Sequence, residues 1–164
     1  MILKTKFKDL VLFQNISFKD NRGYFKEILL EKNLKKKFPF TVMSFSKKNV
    51  VRGLHIQRKK PQGKFVTVLK GKIFDVALDL RKNSKTFGKH FAIILSEKNS
   101  KSIFIPPGFT HGFCALDKEN IPTQIEITFA KNPKKISNLV NFPHELDQPS
   151  NPNFQDIELL FENN

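Results

Sequence analysis

Between residues 64 and 80 the chain spells out two strands and the turn that joins them. Lys64-Phe65-Val66-Thr67-Val68-Leu69 is rich in β-branched and aromatic residues, Lys70-Gly71 supplies a tight turn, and Lys72 to Leu80 runs back as a second strand. The pattern repeats from Thr41 onward. Strands are expected near 40–46, 50–57, 64–70, 72–80, 89–96, 101–105, 112–116 and 122–130. Gly63, Lys70-Gly71, Asn83-Ser84, Lys98-Asn99 and Pro106-Pro107-Gly108 separate them at short, regular spacing. Such a run leaves no room for crossover helices and predicts an all-β sandwich or barrel.

Upstream, Phe7 to Phe18 alternates loosely and reads as an early strand pair turning at Gln14-Asn15. Asp20-Asn21-Arg22-Gly23 marks a further turn from which a strand should leave. Leu29 to Lys37 is the one helix expected before the C-terminal region, and Pro39 ends it. After Pro133 the apolar periodicity fades. The chain of 164 residues therefore reads as one domain over 1–164, with a core at about 3–130. Residues 131–164 form an irregular C-terminal tail closing in a short helix at 156–161.

The formal charge of +14 raises the question of nucleic acid. The lysines, however, are scattered along the whole chain, and the densest runs, Lys35-Lys36-Lys37 and Arg58-Lys59-Lys60, are short. They read as solvated positions, so no nucleic-acid partner is expected, and a basic site for a phosphate-bearing small molecule is favoured. Cys114 is the sole cysteine, which excludes an internal disulfide and suits a reducing compartment. Met1 to Phe13 carries lysines at 4, 6 and 8 and sustains no apolar run. Neither a signal peptide nor a membrane span is expected, and the cytoplasm is the expected location.

The chemistry concentrates in Val50-Val51-Arg52-Gly53-Leu54-His55-Ile56-Gln57 and in Lys64, nine residues after the histidine. In a strictly alternating strand, His55 would share a face with Gly53 and Gln57. A histidine can remove a proton near neutral pH, and Arg52 and Lys64 could hold a diphosphate and stabilise an enolate oxygen. Asp75 lies mid-strand among Phe74, Val76 and Ala77, where a lone buried carboxylate is costly. It should therefore pair with a histidine or lysine, or else face solvent. A second histidine, His111, follows Pro106-Pro107-Gly108-Phe109-Thr110. A metal-binding barrel of the cupin type would want a His-x-His pair, a Glu and a distant His. Here Gln57 takes the second histidine's place and no Glu lies between it and Lys64, so neither metal nor cofactor is expected.

Several separated motifs carry a resemblance in register. They are Asp20-Asn21-Arg22-Gly23-Tyr24-Phe25-Lys26-Glu27, Arg52-Gly53-Leu54-His55 through Gln62-Gly63-Lys64, and Gly71-Lys72-Ile73-Phe74-Asp75-Val76. Asp79-Leu80-Arg81, Ser84-Lys85-Thr86-Phe87-Gly88 and Ile105 through Phe113 continue the series. Collinear from about residue 3 to 116, they resemble the dTDP-4-dehydrorhamnose 3,5-epimerase family. The resemblance implies a cupin jelly roll without metal, a homodimer, and a nucleotide-diphosphate-linked 4-keto-6-deoxy sugar as substrate, in deoxysugar biosynthesis for a surface polysaccharide. It implies His55 as base, Lys64 as the cation on the enolate and Arg52 as a substrate-binding group, with Gln57 beside them and His111 and Asp75 lining the site. Arg22, Phe25 and Glu27 would hold the nucleotide, partly across the dimer interface. The carboxylate partner of the base would be Asp156, with Asp147 behind it.

The sequence also departs from the family pattern. The family's acid is a tyrosine on the strand after the second histidine, whereas here that strand is Thr123-Gln124-Ile125-Glu126-Ile127-Thr128-Phe129 and the chain's one tyrosine is Tyr24. Phe40 and Val42 replace a Gln and an Asn. The departures keep two alternatives open: a cupin 3,4-ketoisomerase on the same substrate class, and a non-catalytic paralogue that binds a nucleotide sugar.

Overall fold

The computed structural model describes residues 1–29, 34, 36–38, 40–57, 59, 61–117 and 123–130, with backbone alone for 40 and 123–130. Twelve strands stand among these residues. They are β1 (Ile2–Lys4), β2 (Val11–Gln14), β3 (Ser17–Asp20), β4 (Gly23–Lys26), β5 (Phe40–Ser46), β6 (Val51–His55), β7 (Gly63–Lys70), β8 (Lys72–Asp79), β9 (His90–Ser96), β10 (Lys101–Ile105), β11 (Phe109–Ala115) and β12 (Thr123–Ala130). Antiparallel pairing builds a six-stranded sheet in the order β1-β2-β10-β7-β12-β5 and a four-stranded sheet β6-β11-β8-β9; β3 and β4 form a separate hairpin. No described helix is long and apolar enough to cross a membrane.

The two larger sheets face each other because each strand of the core is apolar on alternate residues. Leu12, Val66, Val68, Ile103 and Ile105 of the first sheet pack on Ile73, Ala77, Leu95, Phe109 and Phe113 of the second. Register aligns these rows, with Ile103 opposite both Leu12 and Val66. Each fully buried aliphatic or aromatic side chain contributes about 1.5–3 kcal/mol, so the interleaved rows are the main cohesive element. The other face of the six-stranded sheet carries Phe13, Phe65 and Phe104, covered by Ile28, Leu29, Leu34 and Phe38. This is the all-β architecture expected from the strand pattern, and the facing sheets agree with the jelly roll that the family resemblance implies.

Two local expectations change, and a third falls mostly outside the described residues. The segments within 7–18 are not partners: β2 pairs with β1 and β10, and β3 pairs with β4 across Asn21-Arg22. Local alternation marks strands but not their partners, and the long-range pairing buries more apolar surface. The helix expected over 29–37 is not among the described elements. Leu29 and 36–38 are irregular, and 30–33 and 35 lie outside the described residues. Leu34, the one described residue between them, is helical, so the helix expectation falls mostly outside the described residues; Leu29, Leu34 and Phe38 lie on the phenylalanine cluster. Finally, β11 begins at Phe109 rather than 112, which places His111 inside the strand. The tail at 131–164, its helix at 156–161, Asp147 and Asp156 lie outside the described residues.

The turn after β8 is held by a buried carboxylate. Asp79 is fully buried and accepts from Arg81 Nε at 2.9 Å, Arg81 Nη2 at 2.8 Å, Ser84 Oγ at 2.6 Å and Thr86 Oγ1 at 2.7 Å. Burial pushes its carboxyl up, but the donors from Arg81, Ser84 and Thr86 outweigh burial and hold it well below the usual carboxylate range. Its folded-state pKa is depressed, so its stabilisation is complete above the ordinary carboxylate pKa and fades as the pH falls toward the folded value. Asp79→Asn removes charge-assisted hydrogen bonds and should cost about 2–3 kcal/mol, lowering the melting temperature by about 4–12 °C at pH 7. The loss should shrink in acid, and calorimetry at pH 7 and pH 3 checks both outcomes.

Candidate active site

The centre of the four-stranded sheet is a close contact between two glycines. Gly53 has φ +119°, and a Cβ there would stand 2.5 Å from Gly112 Cα and 2.8 Å from the His111 carbonyl oxygen. A Cβ on Gly112 would meet the Arg52 carbonyl oxygen at 2.6 Å. Only glycine at both positions lets β6 lie this tightly on β11. The pairing carries a register shift: His55 stands opposite His111 and Arg52 opposite Phe113, so three steps on β6 match two on β11. This is a β-bulge. It corrects the alternation reading, in which His55 shared a face with Gly53 and Gln57. The extra residue puts Arg52 and His55 on the same face instead, and the strand ends at His55, two residues before Gln57.

That face turns toward the barrel, because Phe113 belongs to the central core and Asp75 lies directly opposite it on β8; Arg52 is half-buried, and His55, at the end of the strand, is exposed. Asp75 is 1 % exposed and His111 4 %. His111 Nε2 donates to Asp75 Oδ2 across 2.8 Å, so the buried carboxylate has found a histidine. Its Oδ1 has no hydrogen-bond partner among the described residues. From the facing sheet comes Lys64, second residue of β7 and in phase with core residues Val66 and Val68. Burial pushes the Lys64 ammonium below the ordinary lysine range, and the charge of Asp75 across the barrel partly offsets this. Arg52 Nε donates to Ser46 Oγ at 3.0 Å and Nη2 to the Phe45 carbonyl at 3.3 Å, so β5 fixes the guanidinium.

The structure thus groups Arg52, His55, Asp75 and His111 on one sheet and sets Lys64 on the other. Gln57 follows on the segment leaving β6, its Oε1 buried and without a hydrogen-bond partner among the described residues. Arg22, Phe25 and Glu27 are elsewhere in the chain. Arg22 sits in the hairpin turn and donates to Asp20 Oδ2, with Nη2 at 2.6 Å, and Phe25 is 68 % exposed. Glu27 lines a cavity of about 220 Å³ with Met1, Asn15 and Phe65, on the face of the six-stranded sheet opposite to Lys64. Sequence reasoning missed Ser46, which anchors Arg52. The Ser44-x-Ser46 alternation on a strand of the barrel was the available signal. It also missed Gly112, whose need is visible only once β6 and β11 are paired.

An exposed histidine at the end of β6, the buried His111–Asp75 pair and a desolvated lysine on the facing sheet are the groups an acid–base enzyme for a small polar substrate would use. The family model described as dTDP-4-dehydrorhamnose 3,5-epimerase matches residues 4–135. A dTDP-4-dehydrorhamnose 3,5-epimerase of Methanothermobacter thermautotrophicus is 46% identical over 124 residues, covering 73% of this chain and 67% of that one. Its counterpart in Shigella flexneri is 42% identical over 125 residues, covering 72% and 69%. Among solved structures, dTDP-6-deoxy-D-glucose-3,5-epimerase of Legionella pneumophila in complex with dTDP-4-keto-L-rhamnose superposes with a TM-score of 0.74 at 36% identity. That match covers 80% of this chain and 72% of that one. The chain belongs to the dTDP-4-dehydrorhamnose 3,5-epimerase family, and it is an isomerase of the epimerase type with a cupin jelly-roll fold.

Gly53→Ala should move β6 off β11 and displace His55 from its place beside His111. A displacement near 1 Å in a catalytic group lowers the rate about a hundredfold. Steady-state epimerase assays on the variant, with its sheet content followed by circular dichroism, check this. A folded variant within a few-fold of the parent rate would contradict the contact's role.

Proposed function

We propose that the chain epimerises a thymidine-diphosphate-linked 4-keto-6-deoxy sugar at C3, C5 or both, by removing a proton alpha to the keto group. The observation that carries this reading is the placement of His55 beside the His111–Asp75 pair and across the barrel from Lys64. The 4-keto group acidifies the protons on C3 and C5. His55 takes one as general base. The charge that develops on O4 meets the Lys64 ammonium in a water-poor interior, where a fixed cation is worth far more than in bulk water. Arg52, held by Ser46, serves the diphosphate. His111, its ring oriented by Asp75, lines the sugar pocket, and its Nδ1 accepts from a sugar hydroxyl.

Arg22, Phe25 and Glu27 take the nucleotide of the neighbouring subunit in a homodimer. The reading is supported by the place of Glu27 on the outer side of the sheet whose inner side carries Lys64, which keeps it from the site of its own chain. The reaction needs no metal: His55 and His111 offer two nitrogen ligands, and His111 Nε2 is already committed to Asp75. The enzyme acts in the cytoplasm, in deoxysugar supply for a surface polysaccharide. The chain's one tyrosine, Tyr24, is 59 % exposed on the outer hairpin. That fact favours, as a second reading, a paralogue that binds the sugar nucleotide without turning it over.

Incubation with the 4-keto-6-deoxy sugar nucleotide in D₂O, followed by NMR, separates the readings. Deuterium at C3, C5 or both supports the epimerase, a keto group moved to C3 supports the ketoisomerase, and no exchange supports the binding protein. His55→Ala should lower the exchange rate by about 10²–10⁴-fold with the fold intact, and a chelator should change nothing. Exchange at the parent rate in that variant would remove His55 from the mechanism.

A further inference from the structure

Epimerisation takes a proton from one face of the sugar and returns one to the other. The donor must therefore come from the side of the barrel opposite His55. His111 does not meet that requirement, since it is the direct cross-strand neighbour of His55 and cross-strand partners share a face. Arg52 and Asp75 come from the same sheet. The chain's one phenol, Tyr24, lies on the hairpin outside the two facing sheets. On the six-stranded sheet, Lys64 stands between Ile105 of β10 and the backbone position of Phe129 of β12, with Val66 and Val68 following along its own face. Other described cations in phase with that face, Lys70 and Lys101, lie six and four positions further along their strands, roughly 13–20 Å away. The Ser44 and Ser46 hydroxyls on β5 are far weaker acids than an ammonium.

We propose that Lys64 is the second acid of this enzyme, delivering a proton to the sugar carbon from the face opposite His55 as well as holding the enolate oxygen. The proposal rests on the epimerase reading above. An ammonium has three N–H donors, so one can stay on O4 while another is handed over. In the return step the enolate's electron pair forms the new C–H bond, the Lys64 N–H bond breaks, and the C4 ketone is restored. Lys64 is left as the amine and His55 as the imidazolium. His55 then releases its proton to water and Lys64 takes one from water, so nothing but solvent is consumed. Burial of Lys64 lowers its proton affinity and makes that transfer easier. The charged and titratable groups on the inward face of the sheet across from it are Asp75 on β8, His111 on β11, Arg52 and His55 on β6, and Asp79 at the far end of β8, where Arg81, Ser84 and Thr86 saturate it. On its own sheet, Ile105 and Phe129, the neighbours in register, are uncharged.

The diagnostic quantity is the ratio of net inversion to deuterium wash-in, because loss of enolate stabilisation lowers both alike. In the unmodified protein the ratio should be flat near neutral pH and fall about tenfold per pH unit above the Lys64 pKa, on a limb below the ordinary lysine range. Lys64→Arg keeps a cation that cannot give up a proton, so its ratio should fall at least tenfold at neutral pH. A ratio that stays constant to pH 10, or that Lys64→Arg leaves unchanged, overturns the proposal, as does wash-in without any inversion in the parent. If Lys64→Arg shows neither wash-in nor inversion, or fails to fold, the pH profile of the parent alone decides. Absence of wash-in from the parent instead overturns the epimerase reading, and the Lys64 assignment with it.

Discussion

The site depends on one steric fact: the β6 backbone lies against the β11 backbone with no side chain between them at Gly53 and Gly112. The close contact fixes the bulge, and the bulge decides which side chains of β6 enter the barrel. Without the extra residue, Arg52 and His55 would point to opposite faces, because residues three apart on a regular strand do. With it, the arginine falls beside Phe113 and the histidine beside His111. A bulge next to an active centre is a common way to re-aim a side chain. In this chain two candidate site residues, Arg52 and His55, are re-aimed at once, and Ser46 on β5 receives the guanidinium that results.

Asp75 and Asp79 sit four residues apart on the same inward face of β8, and their surroundings separate structure from chemistry. Asp79 is saturated by Arg81, Ser84 and Thr86, and this network ties the β8–β9 turn together. Asp75 is equally buried, yet it has His111 on one oxygen and no hydrogen-bond partner among the described residues on the other. A fully satisfied buried carboxylate is a staple. One left with spare acceptor capacity beside a histidine and a desolvated lysine is poised for a ligand or a proton. The apolar rows between the sheets supply the low-dielectric setting in which that difference matters.

Much of this was legible in the sequence. Strand positions from Thr41 to Ile105 followed from composition and turn residues, because those are local signals. The pairing of Asp75 followed from the cost of leaving a carboxylate alone in an apolar run. What the sequence did not disclose was non-local. Simple alternation put His55 with Gly53, since a bulge is specified jointly by two strands and only one was in view. Ser46 as the anchor of Arg52, and Lys64 as the group facing His55 from the other sheet, required the β5–β6 and β7–β8 strand placements in three dimensions. The helix expected after Leu29 falls mostly on residues outside the described ones, and Leu29, Leu34 and Phe38 cover Phe13, Phe65 and Phe104.

The most direct measurement is a crystal structure of the protein with a thymidine-diphosphate sugar bound. The account requires the sugar ring to lie between the two larger sheets. The imidazole of His55 should approach C3 or C5 from one face, Lys64 Nζ should lie within hydrogen-bond reach of O4 toward the other face, and the Arg52 guanidinium should sit on the diphosphate. A sugar ring bound outside the barrel, or one with His55 and Lys64 on the same face, would contradict it.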